Sequence, residues 1–210
     1  MPFWRAEVCR LALFLGDVPF EDIRLSYREL LATAGPIAPF GQFPFMEVDG
    51  RRIAYTGAMA RYCADVAGLT PESKSEAAQV DMIIEACSEL TNVISVSMRE
   101  EDREKKMEMR SILREATLPK WFSYLELQLK ANKSNGFFVG DKITVADIAV
   151  WRLLGWITSG LLDGIPTNVY KNFHALTDHQ ERLESDSKIR EWMTNHYAAS
   201  SYSPTVSDKR

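Results

Sequence analysis

Apolar residues in the first third of the chain recur at the spacing of an amphipathic helix. Residues at positions i, i+3, i+4 and i+7 lie on one face of a helix, so such a stripe predicts a helix with one buried side. One stripe comprises Val8, Leu11, Ala12 and Leu15, and a later one comprises Met59, Tyr62, Cys63 and Val66. Gly16 and Gly68 follow these stripes. Because glycine commonly ends a helix, each helix is predicted to stop there.

Between these two helices the pattern indicates extended chain. Residues 20–25 are predicted to form a short strand, and residues 43–48 and 52–55 are predicted to form a hairpin. The two hairpin strands flank Asp49-Gly50. An Asp-Gly pair is a strong hairpin signal because a type I′ turn needs a positive φ at both central residues. The first seventy residues therefore predict helix, strand, loop, hairpin and helix.

Beyond a linker-like segment at residues 68–73, the apolar positions follow helical spacing only. One seam comprises Val80, Ile84, Cys87, Thr91 and Ile94, and another comprises Trp121, Leu125 and Leu129. Residues 98–110 are so charged that they are predicted to form a solvated helix face or a helix end. Residues 148–162 are apolar on almost every side, which predicts a helix buried in the middle of a domain. An α/β part followed by an all-helical part is thus expected.

Composition narrows the class of protein. Hydrophobic residues make up 46% of the 210-residue chain and charged residues 26%, as in an ordinary globular protein. The formal net charge is −4 and the basic residues are scattered, so we expect no nucleic-acid partner. No apolar run is long enough for a membrane span, so we expect no membrane partner. Three cysteines at no metal-like spacing favour a cytoplasmic setting and no metal site.

The cysteines and histidines are predicted to serve packing or solvent contact. Cysteine thiols on apolar helical faces pack as small hydrophobic groups, and this is expected of Cys9, Cys63 and Cys87. Cys9 keeps the alternative of a reactive thiol because it lies nearest the predicted site. Three histidines lie in the polar C-terminal stretch and are expected at the surface: His174, His179 and His196.

The buried helix begins with Thr144-Val145-Ala146-Asp147. A threonine at the N-cap and an acid three residues later can each accept the other's backbone N–H, which is a capping box. We predict a structural role for this box. With Gly140-Asp141-Lys142-Ile143 before it, late in an all-helical region, the segment resembles the glutathione S-transferase family, whose C-terminal domain carries such a box at this place.

N-terminal motifs strengthen the resemblance. Arg5-Ala6-Glu7 opens the first helix, residues 39–44 precede the hairpin, and Val48-Asp49-Gly50 leads into its turn, in the family's order and spacing. The resemblance covers residues 4–198 and is greatest to the sigma class, which includes glutathione-dependent prostaglandin D synthases. It implies an α/β thioredoxin-like N-terminal domain over residues 1–69, an all-α helical-bundle C-terminal domain over residues 72–200, and a disordered tail over residues 201–210.

The resemblance also implies a function. It is that of a cytoplasmic detoxification transferase that uses glutathione as co-substrate, conjugates or isomerises an apolar small-molecule electrophile, and forms a homodimer. The glutathione-binding residues it implies are Arg5, Gln42, Phe43, Pro44, Tyr55, Thr56 and Asp81.

Physical chemistry suggests how three of these positions would contact glutathione. Arg5 would place positive charge near the thiol. Phe43, before a cis Pro44, would offer its N–H and C=O to the cysteinyl part of glutathione like an added strand; an ordinary trans proline at a strand edge is the alternative. Thr56, as the cap of the next helix, would bind the γ-glutamyl carboxylate together with free helix N–H groups, or would act as a helix cap alone.

Asp81 and Glu85 lie one turn apart on one predicted helix face. The resemblance implies that an acid on this helix reaches the glutathione site of the partner subunit, a role we assign to Asp81. A carboxylate cluster can also hold a divalent ion, and a solvated polar face is the remaining alternative.

The chain departs from the family at the residue that activates the thiol of glutathione. Family members activate it with a tyrosine at the end of the first strand, upstream of the position matched by Arg5. Only four residues precede Arg5 here, so the tyrosine and most of that strand are expected to be missing by N-terminal truncation. Tyr55 replaces the usual acid or amide, and Leu31 and Gly35 lie near the positions of the usual tryptophan and lysine. A catalytically silent binding or scaffold protein, or a fragment of a full-length enzyme, is therefore the alternative to a transferase.

Overall fold

The computed structural model describes residues 4–133 and 136–197. These residues contain nine α-helices and one two-stranded sheet. The expected tail at residues 201–210 lies outside them. The first half contains α1 (Trp4–Leu15), α2 (Tyr27–Glu29), β1 (Phe45–Val48), β2 (Arg51–Ala54) and α3 (Thr56–Val66). The second half contains α4 (Lys74–Arg99), α5 (Arg103–Ile112), α6 (Leu118–Ala131), α7 (Val145–Ile157), α8 (His174–Ser185) and α9 (Ser187–His196).

The predicted hairpin is confirmed. β1 and β2 are antiparallel, with Phe45 opposite Ala54 and Val48 opposite Arg51. Asp49 and Gly50 join them with φ angles of 49° and 73°. Both angles are positive, as a type I′ turn requires, so the Asp-Gly pair sets the register of the hairpin.

The predicted strand at residues 20–25 is wrong. In the described part of the chain these residues pair with no other strand. Phe20, Ile23 and Leu25 are consequently exposed. An apolar and β-branched composition favours extended backbone, but a strand forms only where a second strand supplies hydrogen bonds.

The core is centred on α7, as its apolar sequence predicts. Every residue of this helix except Gly155 is buried, and the helix packs against α1 and α4. α1 also packs against α3, so one continuous hydrophobic core runs from the first helix to the last. No helix in the described residues combines the length and apolar character that crossing a membrane would require.

The capping box at the start of α7 is confirmed and is part of a larger network. Asp147 is fully buried, and its carboxylate accepts the Thr144 backbone N–H at 2.8 Å and the Thr144 hydroxyl at 2.9 Å. It also accepts the Phe138 backbone N–H at 2.8 Å, and it lies 3.0 Å from Nε2 of His179. The surface position predicted for His179 is therefore wrong: its ring is buried because it is a partner of Asp147.

A second buried carboxylate joins the first helix to the last. Oε1 of Glu7, on α1, accepts Trp192 Nε1 at 2.7 Å and the Tyr197 hydroxyl at 2.8 Å. Its other oxygen accepts Arg10 Nη1 at 3.2 Å. Glu7 has no solvent exposure, so these donors replace the water that an exposed carboxylate would bind.

Candidate functional site

The start of α1 is held against the middle of α4. Trp4 is fully buried, and its indole N–H donates to Thr91 Oγ1 at 2.8 Å. The next residue, Arg5, donates from Nη2 to Asn92 Oδ1 at 3.1 Å. The Trp4 indole is therefore committed to a structural bond, and the half-buried Arg5 guanidinium, which has five N–H donors, is held beside α4.

Arg5 lies in an electropositive environment. Its burial, followed by the charge of Arg99, lowers the pKa of its guanidinium. The group nonetheless remains charged at neutral pH because arginine starts from so high a value. A partly desolvated cation interacts strongly with an anion, so this position suits a thiolate or carboxylate.

The segment before β1 presents free main-chain groups. The Phe43–Pro44 peptide is cis, as predicted. Phe43 is half-buried, and over the described residues its N–H and C=O form no main-chain hydrogen bond. Gln42 is exposed, and its N–H donates to the Pro39 carbonyl at 3.2 Å.

The start of α3 differs by one residue from the prediction. Thr56 is the first helical residue and not the cap; Tyr55 occupies the cap position, with a φ of 65° and a ψ of 126°. Thr56 is buried at 7% exposure, whereas Tyr55 is 63% exposed and stacks its ring 5.3 Å from that of Phe40. No side chain among the described residues caps the first N–H groups of α3, which leaves them available to a ligand.

The two predicted acids have different partners. Asp81 pairs with Arg61 on α3 at 2.8 Å, away from the start of that helix. Glu85 instead lies at the start of α3, where its Oε1 is 2.5 Å from the point that a Cβ on Gly57 would occupy. Of the two acids, Glu85 is thus the one that lies beside Thr56. No group of three or more potential metal ligands occurs in the part of the chain that the structure covers.

Three residues of α4 contact or act on the start of α3 and on Arg5, and they follow one another along the helix. Glu85 meets the start of α3, Asn92 binds Arg5, and Arg99 acts on Arg5 through its charge. They are spaced by seven residues, or about two turns and 10 Å, so they share one helix face. We call Glu85, Asn92 and Arg99 the α4 stripe. Asn92 was not predicted as a site residue, because it carries no motif and its partner is 87 positions away.

The cysteines pack as predicted. Cys63 and Cys87 are fully buried, and Cys9 packs against the same core. The neighbouring Cys63 thiol, together with burial, raises the pKa of Cys9 well above its usual value. This shift disfavours the thiolate form that a reactive cysteine needs.

Comparisons with known proteins identify the family to which the chain is similar. Residues 88–196 match the family model described as glutathione S-transferase, C-terminal domain. Glutathione S-transferase 2 of Caenorhabditis elegans is 33% identical over 149 residues, which cover 69% of this chain and 78% of that protein. A glutathione S-transferase of Anopheles gambiae is 28% identical over 193 residues, 89% of each chain.

Solved structures extend the similarity to the fold. The prostaglandin synthase D of Nilaparvata lugens is 27% identical, with a TM-score of 0.81 over 91% of this chain and 92% of that one. A monomeric glutathione S-transferase of the hookworm Necator americanus is 28% identical, with a TM-score of 0.75 over 91% and 92% of the two chains. These similarities confirm the expected fold class, a thioredoxin-like α/β part followed by a helical bundle.

Proposed function

Since the chain belongs to the glutathione S-transferase family, we propose that it binds glutathione along the α4 stripe and transfers it to an apolar electrophile. The observation that carries this proposal is the order of groups along α4, which matches the order of groups in glutathione. We further propose a cytoplasmic detoxification role and the division into domains at residues 1–69 and 72–200.

The γ-glutamyl end of glutathione carries both an ammonium and a carboxylate. The uncapped N–H groups at the start of α3 suit the carboxylate, because a helix N-terminus carries free donors and positive dipole. The Glu85 carboxylate beside Gly57 suits the ammonium. Together, the two features favour a zwitterion over a simple anion at this end of the site.

The middle of glutathione is a peptide. The unbonded N–H and C=O of Phe43 suit it, because an extended peptide can pair with main chain as an added strand does. Gln42 and Pro44 flank this position, and the exposed Tyr55 ring packs against Phe40.

The thiol would lie at Arg5, about two turns of α4 from Glu85. A free thiol has a pKa of about 8.5, and a nearby cation lowers this value by favouring the thiolate. Arg5 is the cation that we propose for this role. The thiolate then attacks the electrophile, since the thiolate and not the thiol is the nucleophile.

A binding protein without catalysis is the second candidate. The observation that favours it is the composition of α1, which contributes a guanidinium at the site but contains no residue with a hydroxyl group. Binding of glutathione without turnover would distinguish this candidate from a transferase.

The experiment is calorimetric titration with S-hexylglutathione, followed by turnover of glutathione with 1-chloro-2,4-dinitrobenzene. We expect Glu85→Gln to weaken binding several-fold, because it removes the partner of the ammonium, and Arg5→Gln to lower turnover more than binding. Glu108→Gln, an exposed neutralisation on α5, is the matched control and should change neither. Absence of binding at millimolar ligand would contradict both candidate functions.

We also propose a homodimer with closed two-fold symmetry. Exposed apolar residues on α4, among them Met82 and Val93, support it because an interface would cover them. The related hookworm protein described as monomeric represents the opposite outcome. Light scattering that gives the 23.9 kDa mass of one chain at micromolar concentration would contradict the dimer.

A further inference from the structure

The proposed placement of the γ-glutamyl end and of the thiol leaves the third position of the α4 stripe unassigned. Glu85 and Asn92 correspond to the γ-glutamyl end and the thiol, and Arg99 lies about two turns beyond Asn92. An electrophile that extends from the thiol away from the γ-glutamyl group would run toward Arg99.

Arg99 is an exposed cation that forms no hydrogen bond or ion pair with any residue in 4–133 or 136–197. Two of the acids that follow it are already engaged in the turn between α4 and α5. Glu100 accepts the Asp102 backbone N–H at 2.9 Å, and Asp102 accepts the Lys105 backbone N–H at 3.0 Å. The charge of Arg99 is thus available to a ligand.

Arg99 and Arg5 carry like charges on the same side of α4. Arg5 is fixed by its bond to Asn92, and the charge of Arg99 acts on Arg5 across the two turns that separate Asn92 from Arg99. Two neighbouring cations repel each other, so an anion that binds near both relieves the repulsion as well as gaining its own attraction.

An exposed apolar residue lies between the two cations. Val96 lies four residues after Asn92 and three before Arg99, on the same helix face, and is 56% exposed. A ligand that extends from the thiol toward Arg99 would cross this apolar surface before it reaches the charge.

We propose that Arg99 selects electrophiles that carry a carboxylate at the end of an apolar chain, an inference that rests on the proposed glutathione site. The apolar chain covers Val96, and the carboxylate pairs with Arg99. Arg99 is a specificity-determining residue in this role, since it contacts the second substrate far from the reacting sulfur.

Two glutathione conjugates of equal chain length test the proposal by binding alone. S-hexylglutathione ends in a methyl group, and S-(5-carboxypentyl)glutathione ends in a carboxylate. Neither contains a free thiol, so any effect of Arg99 on the thiolate is absent. Calorimetry gives the ratio of the two dissociation constants for the intact chain and for each variant.

Arg99→Gln should reduce the preference for the carboxylated conjugate about three- to tenfold, the range expected for an exposed to partly desolvated ion pair. Arg99→Lys, which keeps the charge, should retain most of it. Arg103→Gln removes an equal charge from the exposed start of α5 and is the matched control. It should leave the ratio unchanged. Raising the salt concentration from 0.05 to 0.5 M should shrink the preference of the intact chain.

The outcomes separate this inference from the proposed function. If both conjugates bind and Arg99→Gln leaves their ratio unchanged, or if Arg103→Gln lowers it as much, the carboxylate selectivity is refuted while the glutathione site stands. If neither conjugate binds the intact chain at millimolar concentration, the glutathione site is refuted and this inference with it. Unchanged thermal melting of each variant shows that it is folded.

Discussion

Replacement of Asp147 by alanine should destabilise the chain far more than loss of a helix cap. A cap substitution by itself costs about 0.5–2 kcal/mol. Asp147, however, also accepts the buried backbone N–H of Phe138 and approaches the buried His179 ring. The variant would leave two backbone donors and one ring nitrogen without an acceptor.

The magnitude follows from these groups. Each buried donor left unsatisfied costs about 1–3 kcal/mol, so we expect Asp147→Ala to lower the free energy of unfolding by about 3–5 kcal/mol. This is a large part of the roughly 5–15 kcal/mol that stabilises a typical domain. Urea unfolding followed by tryptophan fluorescence measures it, provided that the m-value is unchanged.

A neighbouring acid provides the control. Asp141 precedes the same helix but is exposed, so Asp141→Ala should change the free energy of unfolding by less than about 0.5 kcal/mol. The double variant Asp147→Ala, His179→Ala should cost less than the sum of the two single changes, because both remove the same contact. A loss below about 1 kcal/mol for Asp147→Ala, or strict additivity with His179→Ala, would refute the network.

Three further predictions concern stability. Gly16→Ala should lower the free energy of unfolding in urea by about 1–3 kcal/mol, because the new Cβ would lie 2.6 Å from the Cα of Ala67. Gly35→Ala, where the nearest atom is 3.8 Å away, is the control and should be close to neutral. An equal loss in both variants would contradict the contact. Burial raises the pKa of Tyr170 to about 12, so its contribution to stability is intact below pH 10 and is lost as the pH rises through 12. The intact chain should therefore lose about 1 kcal/mol more than Tyr170→Phe between pH 8 and pH 11, so the stability that the substitution removes should shrink by that amount. Trp4→Phe should lower the free energy of unfolding by about 1 kcal/mol beyond its change in packing, because Thr91 loses its hydrogen-bond donor. In a Thr91→Val background this additional loss should disappear, because the acceptor is already absent.

Local signals were sufficient where both partners lie close in sequence. The Asp49-Gly50 turn and the capping box at residues 144–147 were predicted, since each is formed within a few residues. Residues 20–25 were predicted as a strand because their local composition favours extended backbone. Whether a second strand lies beside it is a property of the whole fold, which local composition does not contain.

Distant partners explain what the sequence did not predict. His179 lies in a polar stretch, and its burial is decided by Asp147, 32 positions earlier. Trp4 and Arg5 meet α4 at positions 87 residues later, so the role of Asn92 has no local signature. The site residues Phe43 and Thr56 were named from the family resemblance, and the structure adds Glu85 as the acid beside Thr56.

The buried carboxylate of Glu7 has a consequence for synthesis on the ribosome. Its donors Trp192 and Tyr197 follow it by 185 and 190 residues, so at about 5–20 residues per second they are made about 10–40 s later. Throughout that interval the first helix carries an acid that it cannot bury without loss of hydration. The nascent chain therefore cannot complete its N-terminal packing as it emerges, and the last helix to be translated completes the environment of the first.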